Sequence, residues 1–245
     1  MTFDGKRVLV TGSTRGIGFA TARAFLKQGA SVAINGRKAS DVTAAISGLG
    51  GENLVAASGD LGSAAACRQV VNAAIDGLGG LDVLVNNAGV YVGGPVEDVS
   101  DETYAWLMDI NVKGCFFCSQ AAIPELRRNN GAIVMTASES GLSGNHESAL
   151  YCTSKGAVVN MTRALAHDLA PDIRVNAVCP GAVMTDMLGA GDDAEALRDI
   201  AEFSPMKTIA SPEEIADAIC FLADPGQKFM TGALLAIDGG ATACR

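Results

Sequence analysis

The chain has 245 residues, of which 49% are hydrophobic and 18% are charged. A chain of this length and composition can bury one sizeable core, so we expect a single compact domain spanning residues 1–245. The formal net charge of −9 argues against a nucleic-acid-binding protein, because such a protein needs a basic face.

The seven cysteines predict reduced thiols rather than a disulfide framework, because their number is odd and they are scattered through apolar segments. Cys115 and Cys118 have Cys-x-x-Cys spacing, but they share one apolar helix face and no second Cys/His pair stands at ligand spacing. We therefore expect no metal site. The first residues lack a signal-peptide core, and no apolar run is long enough to cross a bilayer. These features predict a soluble, cytoplasmic protein with no membrane partner.

Short β-branched runs alternate along the chain with longer helix-like stretches. Strands are predicted at residues 7–10, 31–34, 54–57, 82–85, 132–136, 174–178 and 234–237. Helices are predicted at residues 17–28, 39–49, 63–78, 103–128, 151–169 and 212–222, the fourth interrupted at Pro124. The alternation implies right-handed βαβ crossovers, and hence an α/β fold with a doubly wound parallel sheet covered by helices on both faces.

Residues 186–205 show no clear periodicity and contain the run Gly189-Ala190-Gly191-Asp192-Asp193. A long excursion of small residues after a strand is typical of a segment that covers a binding site. We expect a substrate lid here, with a loose loop as the alternative.

A glycine-rich loop follows the first predicted strand and precedes a helix. Its sequence is Thr11-Gly12-Ser13-Thr14-Arg15-Gly16-Ile17-Gly18. Glycines let the backbone turn tightly and approach a diphosphate, and the helix N-terminus offers free N–H groups and a positive dipole. This placement predicts a dinucleotide site, although the spacing is not Gly-x-Gly-x-x-Gly.

Further motifs follow in a fixed order. Asn86-Asn87-Ala88-Gly89 comes after the fourth strand, and then come Asn111, Ser138, Tyr151 with Lys155, and Pro180-Gly181. With the T-G-x-x-x-G-x-G loop, this order resembles the short-chain dehydrogenase/reductase family over residues 6–240. The resemblance implies one Rossmann-like domain with a parallel sheet of about seven strands. It also implies a nicotinamide cofactor, a carbonyl or alcohol substrate, and a homotetramer or homodimer.

The glycine loop, the end of the second strand and this resemblance together predict the cofactor-binding residues. Asp60 and Leu61 resemble the family's adenine-contacting pair, and Val183 and Thr185 resemble the stretch at the carboxamide end. The complete set is Gly12, Ser13, Thr14, Arg15, Gly16, Ile17, Gly18, Gly36, Arg37, Asp60, Leu61, Asn87, Ala88, Gly89, Tyr151, Lys155, Pro180, Gly181, Val183 and Thr185.

The end of the second strand favours NADP over NAD. An acid at this position holds the adenosine 2′-OH of NAD and repels a 2′-phosphate. Here the position is occupied by Gly36, and Arg37 follows at once. Arg15 of the glycine loop is expected to face the same corner. Two guanidinium groups without a carboxylate suit a dianionic phosphate. The alternative is that both arginines are solvated side chains on loops.

Tyr151 and Lys155 stand four residues apart at the start of a predicted helix, so their side chains share one face. A free phenol is a poor base at neutral pH, but a nearby ammonium and an oxidised nicotinamide favour the phenolate. Tyr151 then exchanges the proton with the substrate oxygen.

Two further residues complete the predicted catalytic set of Asn111, Ser138, Tyr151 and Lys155. Ser138 is expected to stabilise charge on the substrate oxygen, with nearby Ser140 as a rival that the family pattern disfavours. Asn111 resembles the helix residue that holds a water linking Lys155 to solvent.

These features predict an NADP-dependent oxidoreductase that transfers hydride between the nicotinamide and a carbonyl or secondary alcohol, with 3-oxoacyl thioester reduction as the leading subtype. The alternative from another class is a non-catalytic NADP-binding sensor or scaffold, which would not need all four catalytic residues. An epimerase or dehydratase fits poorly, because little chain follows Gly181 to form a second domain. His146 either lines the pocket or is a solvated loop histidine.

Overall fold

The computed structural model describes residues 2–189, 191 and 193–243, so Ala190 and Asp192 of the predicted lid, and Cys244, lie outside the described residues. The strands are β1 Arg7–Val10, β2 Ser31–Ile34, β3 Leu54–Ala56, β4 Val83–Asn86, β5 Ala132–Thr136, β6 Arg174–Pro180 and β7 Leu234–Ile237. The helices are α1 Gly16–Lys27, α2 Ala39–Leu49, α3 Ala64–Leu78, α4 Asp101–Met108, α5 Cys115–Arg128, α6 Ala149–Leu169, α7 Ala194–Glu202 and α8 Pro212–Ala223.

The strands form one parallel, seven-stranded sheet in the order β3-β2-β1-β4-β5-β6-β7. The predicted doubly wound parallel sheet is therefore confirmed. The chain runs outward from β1 to β3, returns to the centre at β4, and then runs outward to β7. In sheets of this kind a crevice opens beyond the carboxyl ends of the two central strands, and ligands bind there.

Both faces of the sheet are buried because alternate residues of each strand point into opposite layers. Leu9, Leu84 and Ile133 pack into the layer formed by α3, α5 and α6. Val10 and Val85 pack into the other layer, formed by α1, α2 and α8. The sheet is thus a rigid platform whose carboxyl edge carries the loops of the site.

The predicted interruption at Pro124 is wrong, because α5 continues through it to Arg128. A proline removes one N–H from a helix, and the buried side chains of Cys118, Ala122 and Leu126 hold α5 in the core regardless. The irregularity lies earlier, where residues Asp109–Gly114 form a wide π-helical turn between α4 and α5. Such turns are frequent at functional sites.

Two larger differences from the sequence prediction lie later in the chain, while several other element ends shift by one or two residues. Strand β6 extends to Pro180 because its last residues pair with β7. The local sequence around β6 does not show that β7 is its neighbour in the sheet. The segment expected to lack regular structure contains α7, which begins after Asp193, whose side chain accepts hydrogen bonds from the N–H groups of Glu195 and Ala196. Within the described residues, no helix has the length and apolar character needed to cross a lipid bilayer.

Asp82, immediately before β4, ties the amino ends of β1 and β4 together. The carboxylate accepts from Arg7 Nε at 2.7 Å, from the Arg7 N–H at 3.0 Å and from Lys6 Nζ at 3.2 Å. The residue is only 6% exposed. Burial raises the pKa of Asp82, but the hydrogen bonds from Arg7 and the charge of Lys6 lower it by more, so the pKa lies below its ordinary value.

We expect Asp82→Asn to lower the free energy of unfolding by about 2 kcal/mol at neutral pH, because two cations lose their charged acceptor. Folding lowers the pKa of this carboxyl, so its stabilisation is complete above about pH 4 and is lost as the pH falls through the folded value. Urea unfolding of the wild type and the variant at about pH 7 and about pH 3 measures this difference. A difference that is absent at neutral pH, or that persists unchanged in acid, would contradict the assignment.

Candidate functional site

The glycine loop between β1 and α1 lies against the loop that follows β4. Gly12 has a φ of +61°, and a Cβ on it would lie 2.9 Å from the Ala88 Cα. A Cβ on Gly18, in the first turn of α1, would overlap the Gly12 carbonyl oxygen. Only glycine fits at these two positions, so the loop folds tightly and leaves the N-terminus of α1 uncovered.

Hydrogen bonds of Asn87 and Thr11 join the two loops. The Asn87 side-chain amide donates to the carbonyls of Thr11 at 3.0 Å and Gly12 at 3.1 Å. The Thr11 hydroxyl accepts from the N–H groups of Asn87 at 2.9 Å and Ala88 at 3.0 Å. The predicted turn Asn87-Ala88-Gly89 is therefore fixed beside the glycine loop at the carboxyl ends of β1 and β4.

The start of α1 fits a diphosphate. Arg15 occupies the N-cap position, and among the described residues no side chain caps the first turn. The first N–H groups of an α-helix have no partner within the helix, and here they open onto a loop kept free of side chains by Gly12 and Gly18. The residues present therefore fit the dinucleotide that the sequence predicts.

The corner beyond β2 is organised by Asn35, which sequence reasoning did not single out. Asn35 is buried, accepts from the Gly12 N–H at 3.1 Å and donates to the carbonyl of Ala57 at 2.8 Å. It thereby joins the ends of β1, β2 and β3. Asn35 stands directly before Gly36 and Arg37 in the sequence, and this position is the feature from which its place in the site could have been predicted.

The predicted specificity residues occupy different surroundings. Gly36 is buried, and a Cβ on it would lie 2.5 Å from the Thr14 Cγ2, whereas Arg37 is exposed. Arg15 is also exposed, and its Nη1 lies 3.5 Å from the Asp186 carboxylate of the predicted lid. Thr185, directly before the predicted lid, also contacts the loop, since its Cγ2 would be 3.2 Å from a Cβ on Gly16.

The remaining predicted cofactor contacts lie on the same edge of the sheet. Asp60 is exposed and accepts from the Gly62 N–H at 2.8 Å, while Leu61 is buried. A Cβ on Gly181 would lie 2.9 Å from the Asp238 Cα, so the chain after β6 passes closely beside the chain after β7. Val183 then forms a single parallel bridge with Ala210.

Lys155 is the central charge of the chemical end of the site. Its ammonium is buried, donates to the Thr136 carbonyl at 2.9 Å and lies 5.6 Å from the centre of the Tyr151 ring. A Cβ on Gly89 would be 3.6 Å from Nζ and 3.4 Å from the Asn111 Oδ1. The structure thus brings the Gly89 turn, Asn111, Tyr151 and Lys155 together.

Ser138 lies between the ends of β5 and β6. Its hydroxyl accepts from the Ser140 N–H at 3.1 Å and has the Pro180 carbonyl as an acceptor only at 3.5 Å. A Cβ on Gly141 would lie 2.6 Å from the Lys155 carbonyl, so the turn after Ser138 is pressed against α6. Ser140, the rival serine, instead accepts at its hydroxyl from the Asn145 amide at 2.8 Å.

Asn111 lies in the π-helical turn and is 1% exposed. Its amide accepts from the Val90 N–H at 2.8 Å and donates to the Val90 carbonyl at 2.9 Å. It also donates to the Ser154 hydroxyl at 3.1 Å, and Ser154 donates to the Tyr151 carbonyl at 2.8 Å. The Asn111 side chain therefore joins the loop that follows β4 to α6, and the water-holding role stays a prediction.

Other candidates from the sequence take no part in this geometry. The His146 side chain is 93% exposed and lies beside Glu147, as expected of a solvated loop histidine. Burial raises the pKa of the Cys115 and Cys179 thiols to about 11, so both stay protonated at neutral pH. Among the described residues, no three His, Cys, Asp or Glu side chains are grouped to hold a metal ion.

Comparison with known proteins places this geometry in a family. Residues 12–242 match the family described as enoyl-(acyl carrier protein) reductase. The chain is 39% identical over 244 residues to meso-2,3-butanediol dehydrogenase of Serratia marcescens, covering 99% of this chain and 97% of that one. It is 40% identical over 248 residues to glucose 1-dehydrogenase of Gluconobacter oxydans, covering 98% and 93% of the two chains.

Solved structures agree with the sequence relatives. The crystal structure of a putative short-chain alcohol dehydrogenase from Sinorhizobium meliloti 1021 superposes with a TM-score of 0.92 at 36% identity over 99% of both chains. That of a blue fluorescent protein from a metagenomic library, in complex with NADPH, gives 0.91 at 36% identity over 98% of this chain and 99% of that one. These matches, together with the glycine loop, the sheet order and the grouped Tyr151 and Lys155, show that the chain belongs to the short-chain dehydrogenase/reductase family of oxidoreductases.

Proposed function

We propose that this protein is an NADP-dependent oxidoreductase that interconverts a carbonyl and a secondary alcohol, with 3-oxoacyl thioesters as the leading substrate class. The observation that carries the proposal is the buried ammonium of Lys155, held on a neutral carbonyl beside the ring of Tyr151. When bound, the nicotinamide supplies or accepts the hydride. The protein positions the substrate oxygen and exchanges its proton.

In this proposal Tyr151 is the acid in reduction and the base in oxidation. Its hydroxyl gives the proton to the carbonyl oxygen, or takes it from the alcohol. Lys155 stabilises negative charge on the phenol oxygen, and burial strengthens that effect because the surroundings have a low dielectric constant. The bond from Nζ to the Thr136 carbonyl fixes where the charge acts.

Ser138 is proposed to hold the substrate oxygen. Its hydroxyl oxygen is fixed by the Ser140 N–H, while its own proton has only a long, 3.5 Å contact with the Pro180 carbonyl. A bond at that limit is weak, so the proton is available to a better acceptor. A substrate oxygen that gains negative charge in the transition state is such an acceptor.

We expect Tyr151→Phe to lower turnover by several orders of magnitude while NADPH affinity is retained, because only the phenolic hydroxyl is lost. The substrate is first chosen from a panel of 3-oxoacyl thioesters, ketones, diketones and sugars by following NADPH absorbance. NADPH binding by fluorescence is the control for an intact cofactor site. Turnover of the variant close to that of the wild type would refute the assignment of Tyr151. Absence of turnover by the wild type across the panel would favour the non-catalytic sensor or scaffold.

The preference for NADP over NAD is part of the proposal. Support comes from Gly36, which puts no carboxylate at the end of β2, and from the exposed guanidinium of Arg37 beside it. The similar metagenomic protein was crystallised with NADPH. Introducing an acid at Gly36 is not a clean test, because the new Cβ would be 2.5 Å from the Thr14 methyl group.

Arg37→Ala should weaken NADPH binding by about 10- to 100-fold and leave NADH binding nearly unchanged, since only NADPH carries the 2′-phosphate. The matched control is Arg128→Ala, which removes another exposed arginine, at the end of α5. Binding constants for both cofactors on all three proteins decide the matter. Equal weakening of both cofactors by Arg37→Ala, or a wild type that prefers NADH, would overturn the preference.

Residues 186–205 are proposed to act as the substrate lid. No residue of α7 is buried, and Met187 and Phe203 expose 49% and 71% of their surface. The segment is attached to the glycine loop through the contact between Asp186 and Arg15. A segment beside the site with exposed apolar side chains suits closure over an apolar part of the substrate. The proposal also places the protein in the cytoplasm, which the six unbridged cysteines among the described residues fit.

We expect a homotetramer or homodimer. The apolar face of Cys115, Cys118 and Ala122 is buried inside the chain itself, but Trp106 and Phe116 on the same helical region are each 43% exposed. Light scattering at micromolar concentration should give about two or four times the chain mass of 24.9 kDa. A mass of one chain would exclude the assembly.

A further inference from the structure

Tyr91, in the loop that follows β4, lies against the ring of Tyr151. The two ring centres are 5.0 Å apart and the ring planes meet at 83°. This edge-to-face arrangement is favourable for aromatic rings beyond the area it buries. With Lys155 Nζ 5.6 Å from its centre, the Tyr151 ring has two defined neighbours.

The hydroxyl end of Tyr91 is also held. The Tyr91 hydroxyl oxygen lies 3.2 Å from the Ser148 Oγ. Ser148 is the N-cap residue directly before α6 and stands three positions before Tyr151. The Gly94 N–H donates to the Glu147 carbonyl at 2.7 Å, which ties the same two loops together. A Cβ on Gly93 would lie 2.5 Å from the Tyr91 hydroxyl, so the backbone folds closely over the ring.

The backbones that carry the two tyrosines are joined as well. Val90, directly before Tyr91, has both its N–H and its carbonyl bonded to the Asn111 amide. From Asn111 the hydrogen bonds continue through Ser154 to the Tyr151 carbonyl. Both rings therefore extend from fixed points, and their mutual orientation is determined at the backbone and at the ring.

We infer that Tyr91 is a positioning residue that holds the Tyr151 phenol in the orientation that reacts. Its ring limits the movement of the Tyr151 ring that it contacts, and the bond from its hydroxyl to Ser148 adds a smaller restraint. This inference rests on the proposed role of Tyr151. Tyr91 acts through Tyr151 and not on the substrate oxygen itself.

We expect Tyr91→Leu to lower kcat about 5- to 10-fold, with the KM for NADPH unchanged. Tyr91→Phe and Ser148→Ala keep the contact between the two rings and lose only the bond between the Tyr91 and Ser148 hydroxyl groups, so each should lower kcat by no more than about twofold. The matched control is Tyr104→Leu, a half-exposed tyrosine on α4 that belongs to none of the ring pairs found among the described residues. Light scattering checks that all variants keep the wild-type assembly.

The decisive measurement repeats Tyr91→Leu in the Tyr151→Phe background. Because the phenolic hydroxyl is already absent there, the second substitution should change the residual turnover by less than about twofold. An equal loss in both backgrounds would mean that Tyr91 only maintains the loop, and would overturn the inference. A single variant with wild-type kcat would do the same.

Gly93→Ala displaces the Tyr91 ring without removing it and should reproduce the decrease in kcat if Tyr91→Leu fails to fold. Wild-type kcat of folded Gly93→Ala would count against the inference. Failure of the proposed function is distinguishable, since it appears in Tyr151→Phe alone: near-wild-type turnover of that variant removes the role of Tyr151 and, with it, that of Tyr91.

Discussion

The side-chain amide of Asn111 joins segments of the site that are far apart in the chain. It forms hydrogen bonds with both the N–H and the carbonyl of Val90, in the loop that follows β4, and it contacts α6 through Ser154. A buried amide that lost these partners would cost several kcal/mol, so the connection resists rearrangement. The π-helical turn places Asn111 at this junction, and the positions of Gly89, Tyr91 and Tyr151 all depend on it.

The buried ammonium of Lys155 lies close to these connected segments. Buried ammonium groups are normally paired with a carboxylate, yet Lys155 has a neutral carbonyl and an aromatic ring as its neighbours. A positive charge that is held rigidly but not neutralised favours negative charge on any oxygen brought near it. The proposed chemistry of Tyr151 uses this imbalance, and the bond from Lys155 Nζ to the Thr136 carbonyl at the end of β5 maintains it.

The nucleotide end works by different physics. There the chain offers uncapped N–H groups and exposed arginines around a loop that only glycine permits, so the proposed cofactor binding relies on access instead of burial. The contact between Arg15 and Asp186 links this end to the proposed lid. The proposed cofactor and substrate segments are therefore neighbours, although about 170 residues separate them in the sequence.

The sequence by itself determined the parallel sheet, the glycine loop, and Tyr151 and Lys155 on one helix face, because strand and helix periods and short motifs are local properties. Only the tertiary structure decided the extent of β6, the π-helical turn at Asn111 and the helix within residues 186–205. It alone revealed the contacts of Asn35 and Tyr91, whose partners lie 22 to 60 residues away along the chain. Such contacts exist because the sheet brings the carboxyl ends of distant strands to one edge, and no local pattern records which side chains meet there.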